Sequence, residues 1–295
     1  MTYDMIIRKK ALKIQERLGM RIGIPYGTTK IPACRNFRET MEVLKELYKI
    51  GLRAFVLPKE LFSDIKTIAD LYKKKYGELL KIKEEAKKLN IELSLRHEML
   101  SEQPDEALKI FCNIHSIMDT RTFTLHPNFY SRMMPHDQAL KLTVYKINEI
   151  VNSLKFRTKI GIETTGKMRE VGSLEDVLDM VKRTQSTEPV INWAHIHARG
   201  SGALRTQQDF KAIVDAIRAK IGSGWLGSAY FFFSGVSYGP SGEIKHIPLS
   251  SSDINLGYLI KEIMSSGIKG TLILEDPHRE KFILKMLESL GDMVR

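Results

Sequence analysis

From residue 21 onward, short apolar or β-branched runs alternate with longer amphipathic stretches. Parallel strands linked by crossover helices produce this pattern. The runs at 21–25, 54–58, 92–96, 122–126, 159–164, 190–195, 229–235 and 271–276 read as eight strands. Helical spacing fills 37–50, 139–154, 174–183, 208–221 and 257–266, and the last strand is followed by a further helical stretch at 279–290. Gly51, Gly222 and Gly267 sit just past helical segments, where a left-handed residue ends a helix without a Cβ clash. A doubly wound open sheet shares the alternation, but eight units favour closure into a (β/α)8 TIM barrel. No low-complexity linker divides the chain, so residues 1–20 read as an N-terminal helical extension, a plug or an interaction arm, and 21–295 as one barrel domain.

Composition adds limits to this picture. With 295 residues, 43% hydrophobic and 27% charged, the chain can bury a large core and is neither fibrous nor disordered. Cys34 and Cys112 are too few for a disulfide framework and are not spaced as a thiolate zinc site, which fits a reducing compartment and a cytoplasmic location. No secretion signal opens the chain and no run of about 18 apolar residues predicts a membrane span. Lys and Arg number 46 against 35 acids, a net charge of +11 that favours an acidic partner such as DNA. Basic runs such as 73–75 and 87–88 are equally well explained as solvated helix faces.

Barrel active sites form at the C-terminal ends of the strands, so polar residues ending apolar runs carry the chemistry. These ends read S-L-R-H at 94–97, T-L-H-P at 124–127, I-E-T-T at 162–165, N-W-A-H at 192–195 and L-E-D-P at 274–277. Imidazole and carboxylate together suit zinc, manganese or iron without needing thiolate. One histidine alone is more often a hydrogen-bonded structural residue, but several converging strands reverse that balance. Glu163 and Glu275 end apolar strands, where a carboxylate needs a cation or an ion pair such as one to Arg199 or Arg279. His197, two residues beyond His195, suits a ligand, a phosphate contact or a structural role equally. The Gly- and Pro-rich stretch 233–246 reads as a functional loop in which Glu243 and His246 can share one cation. Neither a phosphate-binding P-loop, a dinucleotide Gly fingerprint nor G-x-S-x-G occurs.

Taken in order, L-H-P-N-F-Y (125–130), I-E-T-T-G-K (162–167), A-H-I-H-A-R (194–199), F-S-G-V-S-Y-G (233–239) with G-E-I-K-H (242–246), and L-I-L-E-D-P (272–277) resemble endonuclease IV, particularly its archaeal branch, over most of 21–290. The resemblance implies a (β/α)8 barrel with three clustered metals, usually zinc, that cleaves DNA 5′ to abasic sites. It implies His126, Glu163, His195, Glu243, His246 and Glu275 as ligands, with Glu163 bridging and Glu163 and Glu275 as the catalytic acids. Three positions depart from the pattern. Asn192 stands where the family has aspartate, Phe232 where it has histidine, and His97, the seventh candidate metal ligand, lies one residue beyond the ligand position on which ungapped matching puts Arg96. Two ligands of one metal are thereby lost, so one or two zinc ions are expected rather than three. Lys167, Arg199 and Arg205 are expected to touch phosphate, with a metal-activated water as nucleophile. The alternatives are a catalytically idle DNA-binding barrel and a sugar isomerase or epimerase; Asn192 on strand six and the basic charge lean against the latter.

Overall fold

The computed structural model describes residues 3–97, 104–154, 157 and 159–293. In chain order the elements are α1 (Tyr3–Leu18), β1 (Met20–Pro25), α2 (Phe37–Ile50), β2 (Ala54–Leu57), the short α3 (Ile68–Asp70), α4 (Tyr76–Lys88), β3 (Glu92–His97) and α5 (Pro104–Met118). They continue with β4 (Phe123–Leu125), α6 (His136–Ser153), β5 (Ile160–Glu163), α7 (Leu174–Arg183), β6 (Thr187–Asn192) and α8 (Trp193–Arg199). The chain closes with α9 (Gln207–Ile221), β7 (Ala229–Gly239), β8 (Gly242–Ile247), α10 (Leu256–Ser266), β9 (Gly270–Glu275) and α11 (Arg279–Met293).

Strands β1 to β6 pair in sequence as parallel neighbours; β9 pairs with both β1 and β7, and β7 closes on β6. The result is a closed eight-stranded (β/α)8 barrel, with β8 added outside it as the antiparallel partner of β7. β1, β2 and β5 are almost entirely buried, which is why they read as continuous apolar runs rather than alternating ones. Inside the barrel Ala54, Val56, Val190, Tyr230, Phe232 and Ile273 pack together, while a far larger apolar layer joins strands to outer helices. The glycines at helix ends behave as expected at Gly51 and Gly267, whose φ values are 81° and 63°.

The N-terminal helix packs against α2, α11 and β1 at the N-terminal ends of β1 and β2. Buried Gln15 donates to the Gly51 carbonyl just ahead of β2, and its side-chain oxygen accepts from Ile22 near the start of β1. Arg8 lies over the Tyr48 ring. These contacts place the helix on the side of the barrel away from the strand C-termini.

Two expected boundaries shift. The sixth strand ends at Asn192, not His195, because the Asn192 side chain accepts from the His195 N–H and starts α8, the helix-capping role in which asparagine excels. Residues 233–246 form a twisted hairpin rather than a loop, with a bulge between Ser237 and Tyr238 and with Gly242 at φ 89° closing onto the Gly166 segment. Among the described residues no helix is long and apolar enough to cross a membrane.

Candidate functional site

A cavity of about 330 Å³ opens at the C-terminal ends of the strands, lined by Arg96, His126, His195, Glu243, His246 and Glu275 among others. The fold thus brings together six of the seven residues expected to bind metal. The seventh, His97, ends β3, and its side chain lies outside the described residues. A larger groove of about 770 Å³ between α11 and residues 249–257 contains none of this cluster.

At the centre sits Arg96. Its Nε donates to Glu163 Oε2 at 2.9 Å and its Nη2 to Glu163 Oε1 at 2.5 Å, while Nη1 donates to Glu275 Oε1 at 2.7 Å and to the Tyr26 hydroxyl at 3.3 Å. The guanidinium lies 4.4 Å above the Phe232 ring, so that ring is the platform for a cation. Asn192 Nδ2 donates to Glu163 Oε1 at 3.0 Å. The acids that read as metal-bound at the ends of β5 and β9 are thus paired with Arg96, rather than with the basic neighbours Arg199 or Arg279. Burial raises the Glu163 carboxyl, but the Arg96 charge, joined by His126 and His195, outweighs it and holds Glu163 well below the usual carboxylate range. Burial alone would lower the Arg96 pKa; Glu163 and Glu275 drive it well above its ordinary value.

Two groups of side chains have the spacing of a cation site: His126, Glu163 and His195, and His195, Glu243 and His246. The first does not fit a metal. Glu163 Oε2 accepts from Arg96 and Oε1 from both Arg96 and Asn192, and the Arg96 guanidinium also lies 3.4 Å from His126 Nε2, so a cation there would meet a resident positive charge. A divalent ion at ~4 Å from the guanidinium is also repelled by about 8 kcal/mol at an effective dielectric near 20.

The second group fits. His195 Nδ1–H donates to the Thr164 carbonyl at 2.6 Å, leaving the Nε2 lone pair facing Glu243 Oε2 at 3.2 Å, with Asn192 Nδ2 at 3.3 Å. Burial lowers the His195 pKa to about 4 against the opposing pull of Glu243 and Glu163, so the ring is neutral and ready to ligate. His246 Nε2 stands 3.3 Å from Glu243 Oε1. Burial raises Glu243, and the hydrogen bond with His246 does most to reverse this, to about 2, keeping it ionised. Glu243 comes from the β8 hairpin strand, anchored by its N–H to the Gly166 carbonyl at 2.9 Å. Gly166 is required there because a Cβ would lie 2.2 Å from Glu243 Oε2. Two imidazoles and one carboxylate with an open side are a common donor set for zinc or iron. Nearby, buried Glu275 Oε2 has no hydrogen-bond partner among the described residues and lies 3.9 Å from His246 Nδ1.

The expected phosphate contacts divide. Lys167 lines the cavity and is about half exposed. Arg199 instead clamps the carbonyls of Lys167, Met168 and Glu170, shaping the loop after β5, and Arg205 pairs with Asp253. His197 is not beside His195 as on an extended chain, because both lie on helix α8. It accepts from the Leu204 N–H and donates to Asp253, a structural strap. Arg132 at the cavity rim and Tyr26 beside Arg96 sit in no imidazole- or carboxylate-bearing motif, so nothing in the sequence singles them out.

Comparison with known proteins agrees with the architecture. Residues 44–293 match the family described as a xylose isomerase-like TIM barrel. An uncharacterized protein of Methanocaldococcus jannaschii is 24% identical over 176 residues, 59% of this chain, and the match spans 64% of that protein's length. Endonuclease IV from Thermus thermophilus superposes with a TM-score of 0.63 at 14% identity, covering 92% of this chain and 99% of that one. A D-psicose 3-epimerase superposes with a TM-score of 0.59 at 13% identity, covering 88% and 85%. Likenesses this distant speak for the fold alone, and they embrace both nuclease and epimerase. On the extent of the family match, this chain belongs to the xylose isomerase-like TIM barrels.

Proposed function

We propose that the protein is a metal-dependent phosphodiester hydrolase of endonuclease IV type, acting on DNA at abasic sites. The observation that carries this reading is the His195, Glu243 and His246 group, open to a cavity whose rim bears Arg132 and Lys167. Those three side chains would hold a divalent cation, which would supply Lewis acidity to a phosphate and acidify water. The chain's own groups do the rest. Arg132 and Lys167 attract and orient the phosphate. Glu275, which lines the cavity, takes the proton from the attacking water. Glu163 serves indirectly, by holding Arg96 and so Glu275 in place.

The epimerase alternative needs carboxylates from β5 and β9 on one metal, and here those two acids share a guanidinium instead. The test is nicking of a duplex with one abasic site by protein stripped with chelator and then given zinc or manganese. Metal-restored nicking that falls at least a hundredfold in Glu243→Gln supports the reading. Turnover of a free ketose with DNA untouched favours the epimerase, and tight DNA binding with no metal-dependent nicking favours an idle binding barrel.

A further inference from the structure

We propose that Arg96 is a resident cation standing in for a second metal ion, so that the barrel mouth is built for one metal and no more. This deepens the hydrolase reading and rests on it for the identity of the remaining site. Three residues that depart from the endonuclease IV pattern, Arg96, Asn192 and Phe232, are scattered in sequence yet meet around one carboxylate. Arg96 grips both Glu163 oxygens and reaches Glu275, Phe232 supplies the ring beneath the guanidinium, and Asn192 Nδ2 fills a further position on Glu163 Oε1.

Each of the three performs a task that a metal site does not need and a guanidinium site does. An aspartate at 192 would add a third anion beside one cation, whereas the amide donates a hydrogen bond. Histidine at 232 would present a ring that can itself be protonated against Arg96, whereas phenyl offers a neutral π face. The planar fork of arginine matches the Glu163 carboxylate edge to edge, a geometry no point-charge ion requires. The pair is also closed to water: the side chains of Arg96 and Glu163 are 4% and 0% exposed. Arg96 is consequently a positioning residue. It fixes Glu275 Oε1 and leaves Oε2 with no hydrogen-bond partner among the described residues.

Metal content per chain, measured by elemental mass spectrometry after chelator stripping, zinc loading and desalting, tests this. The expected values are one zinc in the wild type, one in Glu163→Gln, none in Glu243→Gln, and two in Arg96→Ala, where Glu163 and Glu275 become free to ligate. A zinc-dependent rise in melting temperature that is larger in Arg96→Ala than in the wild type is the companion readout. Loss of zinc in Glu163→Gln, two zincs in the wild type, or no gain in a folded Arg96→Ala overturns the proposal. Should Arg96→Ala fail to fold, the wild-type and Glu163→Gln values alone decide. No zinc in the wild type but one in Arg96→Ala upholds the stand-in role while removing the hydrolase reading.

Discussion

Replacing Arg96 by leucine leaves Glu163 and Glu275 facing each other beneath the cavity, with side chains 0% and 8% exposed and no cation between them. Removing one partner of a buried ion pair costs about 3–5 kcal/mol, mostly because the remaining charge stays desolvated. For a domain of this size that corresponds to a fall in melting temperature of roughly 6–20 °C. The pH dependence has a definite sign. In the wild type Glu163 is depressed, so its contribution is present above the unfolded carboxyl value of ~4.3 and disappears as pH drops through its lower folded value. Without Arg96 the largest remaining influence is burial, which raises the Glu163 carboxyl. The variant then loses stability as pH climbs from ~4 towards neutrality. The gap between wild type and Arg96→Leu is thus widest near pH 7 and narrows below pH 4. Adding Glu163→Gln removes the uncompensated charge and restores part of the loss. Urea unfolding of the four members of this cycle, in chelator at several pH values, measures all of it. A loss under ~1 kcal/mol, or a gap that widens on acidification, refutes the reasoning.

Other positions are equally specific. His115 is buried, accepts from the Lys159 N–H and contacts the Thr120 hydroxyl at 2.6 Å, and burial lowers its pKa to about 4. Its unfolded value is higher, so its contribution is full above ~6.5 and is lost as pH falls towards 4, a drop of roughly 2–4 kcal/mol. Urea titrations should show the wild type weakening between pH 7 and 5 and His115→Gln weakening less; equal slopes remove the claim. Gly166→Ala forces a Cβ to within 2.2 Å of Glu243 Oε2 and should weaken zinc binding tenfold or more by calorimetry, whereas Gly224→Ala, which meets open space, should leave it unchanged. Arg199→Ala removes the side-chain bonds to the carbonyls of Lys167, Met168 and Glu170, and should raise amide exchange across 166–172 more than in α2.

The barrel was readable because its strands are buried on both faces and its helices carry capped amphipathic stripes, so α2 and α7 fall where periodicity places them. The β6 boundary was less readable, since N-W-A-H fits a strand end as well as a helix cap. Only the placement of His195 N–H over the Asn192 side chain decides between them. The 233–246 segment looked like a loop because its glycines and proline outweigh its alternation, while the fold uses Gly239 and Gly242 to turn a hairpin back onto the site. The strand-end histidines and acids could be picked out by residue type, but what they bind could not. Arg96 appears in the string S-L-R-H as one more basic residue. Its importance arises from contacts with Glu163 and Glu275, which lie 67 and 179 positions away along the chain.

The most direct measurement is a zinc-edge anomalous difference map from a crystal of the wild-type protein grown with zinc. The expected result is a single peak bounded by His195 Nε2, Glu243 and His246 Nε2, with the Arg96 guanidinium still between Glu163 and Glu275. A peak between those two glutamates with Arg96 swung aside contradicts it.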